Sequence, residues 1–300
     1  MDLDNKLKGM PHVYYFNLDN RKDRRMYMEK QFKRWGIEHT RLSGTKYLGS
    51  QVNSWCHLII DYENYTLLPP IAANAISHLE FLKKWYAESD DPYLILMEDD
   101  YDLNCIKRWH FDWEYLMSRL PYDWDCLHMG FENPEGMPMY LHPIQSAHDF
   151  GPVLLHREYV EKLIDIHCVG DRYRLLNTVN NAAWNSGKLV AGPGTVDYFM
   201  VHCGRTYCLP LITINPSFGS FEDNSAIQRF YRESGDIKAR NAYYFWWKHE
   251  RDRFTLDDFF TYGTSKDVEM TLDTEKFSGY DITGKMYEVY GEKYLENYRP

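Results

Sequence analysis

The sequence lacks the features that would place the chain in a membrane or export it. No run approaches the roughly 18 apolar residues of a transmembrane helix, so we expect no membrane span. Residues 1–10 are polar and charged, without the apolar segment of a secretory signal. We therefore expect a cytoplasmic protein, and peripheral contact with a membrane is compatible with that location.

The sequence also lacks a positive charge balance. The formal net charge of −10 argues against nucleic acid as the main partner, because a polyphosphate backbone is bound by an excess of lysine and arginine. The same balance means that an anionic substrate would need a local cation or a basic pocket. No Walker-type glycine-rich loop is present, which argues against phosphoryl transfer of the P-loop kind.

Cysteine pairs with a recognisable spacing are missing as well. The six cysteines are scattered, and only Cys203 and Cys208 lie close together, at a spacing that matches no usual zinc site. We expect free thiols in a reducing compartment. What the chain does contain is typical of a globular protein, with 44% apolar and 26% charged residues. Aromatic residues make up 16%, which supplies a large core and suits sugar-stacking surfaces.

An apolar strand followed by an acidic turn lies near the middle of the first 200 residues. Tyr93–Met97 is a continuous apolar run of strand length, as in a parallel sheet covered on both faces. Four carboxylates follow within five positions, namely Glu98, Asp99, Asp100 and Asp102. Two like charges 4 Å apart repel by roughly 4 kcal/mol at an effective dielectric of 20. A divalent cation at the carboxyl edge of the sheet would offset this repulsion, and a solvated acidic turn is the alternative.

Helices and strands alternate from residue 13 to residue 215. Strands are predicted at 13–18, 93–97, 124–130, 150–155 and 207–215, and helices at 71–89, 109–120, 157–167 and from 195 onwards. A further helix is predicted between Asn20, as its N-cap, and Gly36, as its stop. This alternation predicts an α/β fold with a mostly parallel, Rossmann-like sheet flanked by helices.

The start of the first predicted helix is basic. Arg21, Lys22, Arg24 and Arg25 all fall within its first turns. A helix N-terminus that carries arginines is suited to binding phosphate, as part of a nucleotide pocket. A solvated basic face is the alternative for this stretch.

The last part of the chain differs in character. Residues 235–300 contain the aromatic run Tyr243–Trp247 and then an acidic, aromatic segment without clear periodicity. We predict a main domain at residues 1–234 and an extension at 235–300. The extension would pack on the main domain, bind an acceptor or form an interface.

Five short motifs, in this order, resemble those of family 25 glycosyltransferases, the lipooligosaccharide and collagen galactosyltransferase type. They are Asn17–Arg25, Ile76–Leu79, Leu94–Asp100, Trp124–Gly130 and Val196–Phe199. The resemblance spans roughly residues 12–220. It implies a GT-A fold, a nucleotide-sugar donor that is UDP-linked, a Mn²⁺ or Mg²⁺ ion and inverting transfer of a hexose such as galactose. The acceptor would be a hydroxyl on a glycan, a glycolipid or a protein.

The resemblance also implies roles for individual residues. Asp100 would be the main metal ligand, and the further candidates for the metal shell are Glu98, Asp102 and His202. The candidates for donor binding are Asn17, Leu18, Arg24, Arg25, Ser77, His78, Glu98 and Asp99. Asp197 would be the general base, with an N-cap role at the short helix that it begins as the alternative. The reserves for the base are His78, His148 and Asp149.

Two other functions are compatible with the same residues. One is a catalytically silent module that keeps the fold and binds a nucleotide sugar or a glycan. The other is a metal-dependent phosphoryl-transfer or hydrolytic enzyme, which the clustered acids alone would suggest.

Overall fold

A mixed β-sheet with helices on both faces forms the centre of the structure. The computed structural model describes residues 5–48, 50–64, 69–130, 136–144, 151–175, 195–215 and 237–272. Within these ranges the architecture is α/β, as the alternation of predicted helices and strands indicated.

The strands are short except for one. In chain order they are β1 (Val13–Asn17), β2 (His39–Ser43), β3 (Tyr93–Met97), β4 (Tyr101–Asp102), β5 (Cys126–Gly130), β6 (Met137–Pro138), β7 (His142–Pro143), β8 (Val153–His156), β9 (Cys168–Val169), β10 (Arg172–Tyr173), β11 (Thr206–Ile214) and β12 (Thr271–Leu272).

The helices cover the two faces of the sheet. In chain order they are α1 (Lys22–Trp35), α2 (Thr45–Leu48), α3 (Pro69–Glu88), α4 (Trp113–Arg119), α5 (Arg157–His167), α6 (Val196–His202), α7 (Ile237–His249) and α8 (Leu256–Phe260). Short 3₁₀ turns lie at Val52–Ser54, Cys56–Leu58, Tyr62–Asn64, Leu103–Arg108 and Arg251–Arg253.

The main sheet has the strand order β2-β1-β3-β8-β5-β11-β4, with β7 also paired to β11. Strands β1, β2 and β3 are parallel to each other, and β5 is parallel to β11. Strand β8 runs antiparallel between β3 and β5, so both parallel groups point the same way. The expected mostly parallel direction is confirmed for these five strands. The strand predicted at 150–155 is β8, which begins at Val153 and is antiparallel.

Strand β3 is covered on both faces, which explains its continuously apolar sequence. Leu94 and Leu96 pack in the cluster under α3, α5 and α6, whereas Ile95 and Met97 pack in the cluster with α1, α4 and α7. Because successive side chains of a strand point to opposite faces, a strand covered on both faces needs an apolar residue at every position.

The ends of the first helix differ in part from the prediction. Helix α1 begins at Lys22 with Arg21 as its N-cap, so the assignment of Asn20 as the N-cap was wrong. Gly36 ends the helix with a left-handed φ of 62°, as predicted. The helix predicted at 109–120 is shorter, because the side chain of Asp112 caps α4 by accepting from the Tyr115 N–H.

The described part of the C-terminal extension packs into the same core as the sheet. Tyr243, Trp246 and Trp247 of α7 are buried in the cluster that also contains Met97 of β3. The predicted boundary at residues 234/235 lies outside the described residues. Among those residues, no helix has both the length and the apolar character needed to cross a membrane.

Candidate functional site

A cavity of about 280 Å³ lies at the carboxyl ends of β1 and β3. This edge of an open α/β sheet is where such folds bind ligands. Its walls come from the strand ends, from α2 and from the first turns of α1, α3 and α6. Seven of the predicted site residues line it, namely Asn17, Leu18, Arg24, Glu98, Asp99, Asp100 and Asp197.

Asp99 links the ends of β1 and β3 rather than facing a ligand. Its Oδ2 accepts from Asn17 Nδ2 at 2.6 Å, and its Oδ1 accepts from Arg24 Nη1 at 2.7 Å. The side chains of Asp99 and Arg24 are only 7% and 9% exposed. Asp99 therefore fixes Arg24 and Asn17 in place through charge-assisted bonds.

A second arginine orients Asn17 from the neighbouring strand. Arg41 of β2 donates from Nε to Asn17 Oδ1 at 2.8 Å and also contacts the carboxylate of Asp19. With its amide bonded on both sides, Asn17 has a fixed rotamer at the cavity wall. The local sequence does not predict Arg41 as a residue of the site, because its position beside Asn17 depends on the parallel pairing of β1 with β2.

Asp100 and Glu98 are the carboxylates of the turn that remain for a ligand. Asp100 Oδ2 accepts from Arg24 Nη1 at 3.1 Å, and its side chain is 18% exposed. Glu98 Oε1 accepts from Asn74 Nδ2 at 3.2 Å. Burial, together with the nearby charges of Asp100 and Asp197, raises the pKa of Glu98 to about 8. Burial also raises the pKa of Asp100, although Arg24 opposes the shift.

Asp197 lines the same cavity although it lies about 100 positions after Glu98 in the sequence. It lies in the first turn of α6, whose N-cap is Thr195, so the alternative assignment of Asp197 as the N-cap was wrong. Its carboxylate lines the cavity and is close enough to raise the pKa of Glu98. Two candidate groups from separate motifs, Glu98 and Asp197, thus share one site.

The start of two longer helices adds positive potential to the same cavity. Arg21, the N-cap of α1, and Pro70 and Ile71, in the first turn of α3, are among its lining residues. The helix dipole makes such ends favourable for anions, and the Arg21 guanidinium adds positive charge, whereas Pro69 and Pro70 have no N–H to donate. The cavity therefore combines groups suited to an anion with carboxylates suited to a cation.

Ser77 and His78 do not line the cavity. Both are buried in α3, where Ser77 Oγ donates to the Ala73 carbonyl at 2.8 Å. His78 Nδ1 lies 2.9 Å from the Asn74 carbonyl, and its ring packs 4.1 Å from that of Phe16. Burial lowers the pKa of His78 to about 4, so it is neutral at physiological pH. These residues support the wall behind Asn74 instead of contacting the cavity.

Arg25, Asp102 and His202 also lie outside the cavity. Arg25 is exposed on α1. His202 is buried at the end of α6, with its ring 5.4 Å from that of Tyr198. Asp102 is 1% exposed, and its oxygens accept from Asn104, from Tyr244 and from Arg240. The structure therefore does not bring Asp102 or His202 to the acidic group, and it gives no support to a metal-ligand role for either. His148 and Asp149 lie outside the described residues.

The carboxylates of the cavity fit a metal that is bound jointly with a phosphorylated ligand. Within the described residues, no group of three or more histidine, cysteine, aspartate or glutamate side chains is arranged to hold a metal alone. Mg²⁺ is usually held by one or two carboxylates and completed by substrate phosphates and water. Glu98 and Asp100 supply such a pair, and burial raises the pKa of each, so a cation bound between them would favour the charged form of both.

Asn74 was not predicted as a site residue. It lies one turn before Ser77 and His78 on α3, donates to Glu98 and lines the cavity. The position of Asn74 near the start of α3 could have identified it, since among the described residues only the first turns of α3 line the cavity.

Comparison with known proteins adds little to this geometry. No protein-family model and no curated protein matches the sequence. Among solved structures, the chain is similar to the crystal structure of A197 from STIV, with a TM-score of 0.36 and 12% sequence identity. That match covers 68% of this chain and 83% of the other. A likeness at this TM-score does not establish a shared fold.

Proposed function

We propose that this protein is a metal-dependent glycosyltransferase of the GT-A type, which transfers a hexose from a UDP-linked donor to an acceptor hydroxyl. The acceptor would belong to a glycan, a glycolipid or a protein, and galactose is one option for the sugar. The observation that supports this proposal is one cavity at the strand ends that gathers Asn17, Arg24, Glu98, Asp100 and Asp197 from three separate motifs.

The donor would bind with its diphosphate near α1 and α3. Arg24, held by Asp99, and Arg21 offer guanidinium groups at a helix start, where phosphate oxygens are favoured. Asn17 and Leu18 would line the nucleotide end of the cavity. Since Arg24 already bonds two carboxylates, it would bridge the acidic turn and the donor.

Glu98 and Asp100 would hold a Mn²⁺ or Mg²⁺ ion. When bound, such an ion neutralises charge on the leaving diphosphate. Hydrogen bonds from Asn74 to Glu98 and from Arg24 to Asp100 would hold the two carboxylates in an orientation suited to binding the ion. The high pKa of Glu98 means that ion binding would release a proton from its carboxyl near neutral pH.

Asp197 would take the proton of the acceptor hydroxyl. In an inverting transfer, the hydroxyl oxygen bonds to the anomeric carbon while the bond from that carbon to the diphosphate breaks. The hydroxyl proton passes to a carboxylate oxygen of Asp197, which lies in the cavity beside Glu98. Asp197→Asn should therefore abolish transfer while leaving donor binding in place.

A thermal-shift panel of UDP, GDP and CMP sugars, each with and without Mn²⁺, tests the proposal. A ligand at a hundredfold excess over its Kd stabilises the folded state by about 2.7 kcal/mol, which is readily measured. We expect one UDP-sugar to stabilise the protein only with Mn²⁺, and Asp100→Asn to remove that effect. Asp90→Asn, at an exposed position outside the cavity, is the matched control.

The outcomes separate this proposal from its alternatives. Donor binding without turnover on any acceptor would favour the silent module. Release of phosphate from nucleotides without a sugar would favour a hydrolytic enzyme. The absence of any metal-dependent donor shift would refute the proposed function and leave Glu98–Asp102 as a structural turn.

A further inference from the structure

A second cavity shares two helices with the candidate donor site. It has a volume of about 770 Å³, within the range of roughly 300–1,000 Å³ that is typical of ligand sites. On α2, Leu48 lines the first cavity and Tyr47 lines the second. On α3, Asn74 lines the first and Glu80 the second, about 9 Å further along the helix axis. One extended molecule could therefore occupy both cavities.

The charged groups of the second cavity are largely paired with one another. Lys46 contacts Glu80, and Lys83 Nζ lies 3.9 Å from Asp171 Oδ1. Tyr47 also donates its hydroxyl to Glu80 at 3.1 Å. Three lysines, Lys46, Lys83 and Lys84, and two carboxylates, Glu80 and Asp171, therefore line the same cavity. Such a mixture is poorly suited to a strongly charged ligand and well suited to one whose groups both donate and accept.

Aromatic side chains form the base of the same cavity. Tyr47, Trp55 and Tyr173 line it and are otherwise packed into the protein, with the Tyr47 and Trp55 ring centroids 6.4 Å apart. The indole N–H of Trp55 has no acceptor among the described residues. The exposed hydroxyls of Ser50 and Ser54 lie at the rim. The cavity thus presents aromatic surface at its base and mixed polar groups at its rim.

We propose that the second cavity binds a neutral oligosaccharide, whose end would extend to the first cavity as the acceptor. Sugar hydroxyls both donate and accept hydrogen bonds, so Lys46, Glu80 and Lys83 can serve adjacent hydroxyls of one ring. The C–H groups of a pyranose would pack against the aromatic surface of Tyr47 and Trp55. The acceptor role rests on the proposed function, whereas the binding of the saccharide does not.

Saturation-transfer NMR without donor or metal tests the binding. The probes are lactose, maltotriose, cellotriose and mannotriose, with trigalacturonate as the acidic counterpart. We expect saturable binding of at least one neutral probe, and a loss of affinity of at least tenfold in Ser54→Trp, which fills the rim. Ser118→Trp is the matched control, because each serine is exposed and donates its hydroxyl at 2.7 Å to the carbonyl three residues earlier.

The result distinguishes this inference from the proposed function. Binding of trigalacturonate alone, no binding of any neutral probe, or binding that Ser54→Trp leaves intact would overturn the saccharide site. Donor stabilisation in the thermal-shift panel should be the same in Ser54→Trp and the wild type. If Ser54→Trp removes oligosaccharide binding but no donor binds the wild type, the saccharide site is supported and the glycosyltransferase proposal is refuted.

Discussion

Breaking the buried ion pair between Asp102 and Arg240 should destabilise the protein more than breaking a surface pair. Arg240 Nη2 lies 2.6 Å from Asp102 Oδ2, and the two side chains are 4% and 1% exposed. Burial pushes the pKa of Asp102 up, but the Arg240 charge and the hydrogen bonds outweigh it, so the pKa is lowered. Arg240→Met would leave a buried carboxylate without its cation. Loss of one partner of a buried pair costs about 3–5 kcal/mol.

The pH dependence of this loss has a definite sign. In the wild type, the lowered pKa of Asp102 contributes stability above the unfolded value of 3.8, and this contribution is lost as the pH falls through the folded value. In Arg240→Met the contribution is absent, and burial alone would raise the pKa of Asp102. The difference in the free energy of unfolding should therefore be largest near neutral pH. It should shrink as the pH falls through the raised pKa of Asp102 in the variant, which lies above 3.8, and shrink further as the pH falls through the lowered pKa in the wild type.

Urea denaturation of a double-mutant cycle measures the pair directly. Asp102→Asn in the Arg240→Met background removes the buried charge and keeps an acceptor for the Asn104 N–H, while the Tyr244 hydroxyl, which donates to the other oxygen, would accept from the new amide N–H. The double variant should therefore be more stable than Arg240→Met alone. The control is Arg119→Met, which breaks a pair with Asp257 whose side chains are 34% and 77% exposed. It should cost about 1 kcal/mol or less. If the Arg240 and Arg119 variants lose equal stability, or if the cycle is additive, the reasoning fails.

Three further predictions concern single side chains. Without divalent ions, the stability gained by Glu98→Gln should grow as the pH rises from 4.5 to about 8 and then level off, because the raised pKa of Glu98 costs the wild type stability over that range. Urea denaturation midpoints of both proteins across this pH range test the prediction. A difference in stability that does not change with pH would contradict the pKa shift. Gly36→Ala should lower the free energy of unfolding by about 1 kcal/mol through backbone strain at φ 62°, since an added Cβ meets no atom within 4 Å. Thermal denaturation measures this loss, and a clearly larger value would indicate a steric clash. Ser77→Ala should leave donor stabilisation unchanged, because its hydroxyl bonds the Ala73 carbonyl; a lost donor shift would return Ser77 to the binding site.

The strand ends of the site were predictable from the sequence. Because β1 and β3 are parallel neighbours, their carboxyl ends meet at one edge, which brings Asn17 close to Asp99 and Asp100. The apolar run of β3 predicted a strand covered on both faces, and both clusters do cover it. These features depend on local pattern and on a general rule of sheet geometry, so one sequence is enough to predict them.

The partners of the acids were not predictable in the same way. Arg240 bonds Asp102 across 138 positions, and Asn74 bonds Glu98 across 24. No periodicity relates such positions, since each pairing depends on how a distant helix packs on the sheet. Ser77 and His78 show the reverse case. They follow Asn74 by one turn, but α3 leads away from the strand ends, so only its first turns reach the cavity.

The acids of the turn differ in role because arginines reach only some of them closely. Asp99 and Asp102 accept from Arg24 and Arg240 at 2.7 Å and 2.6 Å, so their charges are matched inside the protein. Within the described residues, Glu98 accepts one bond, from the neutral amide of Asn74, and Asp100 shares Arg24 at a longer 3.1 Å. Of the three acids of the turn that line the cavity, Glu98 and Asp100 thereby lack, among the described residues, the close arginine contact that Asp99 has. A cation bound there would meet two acids whose pKa values are raised, beside a fixed arginine that can bind the anionic partner of that cation.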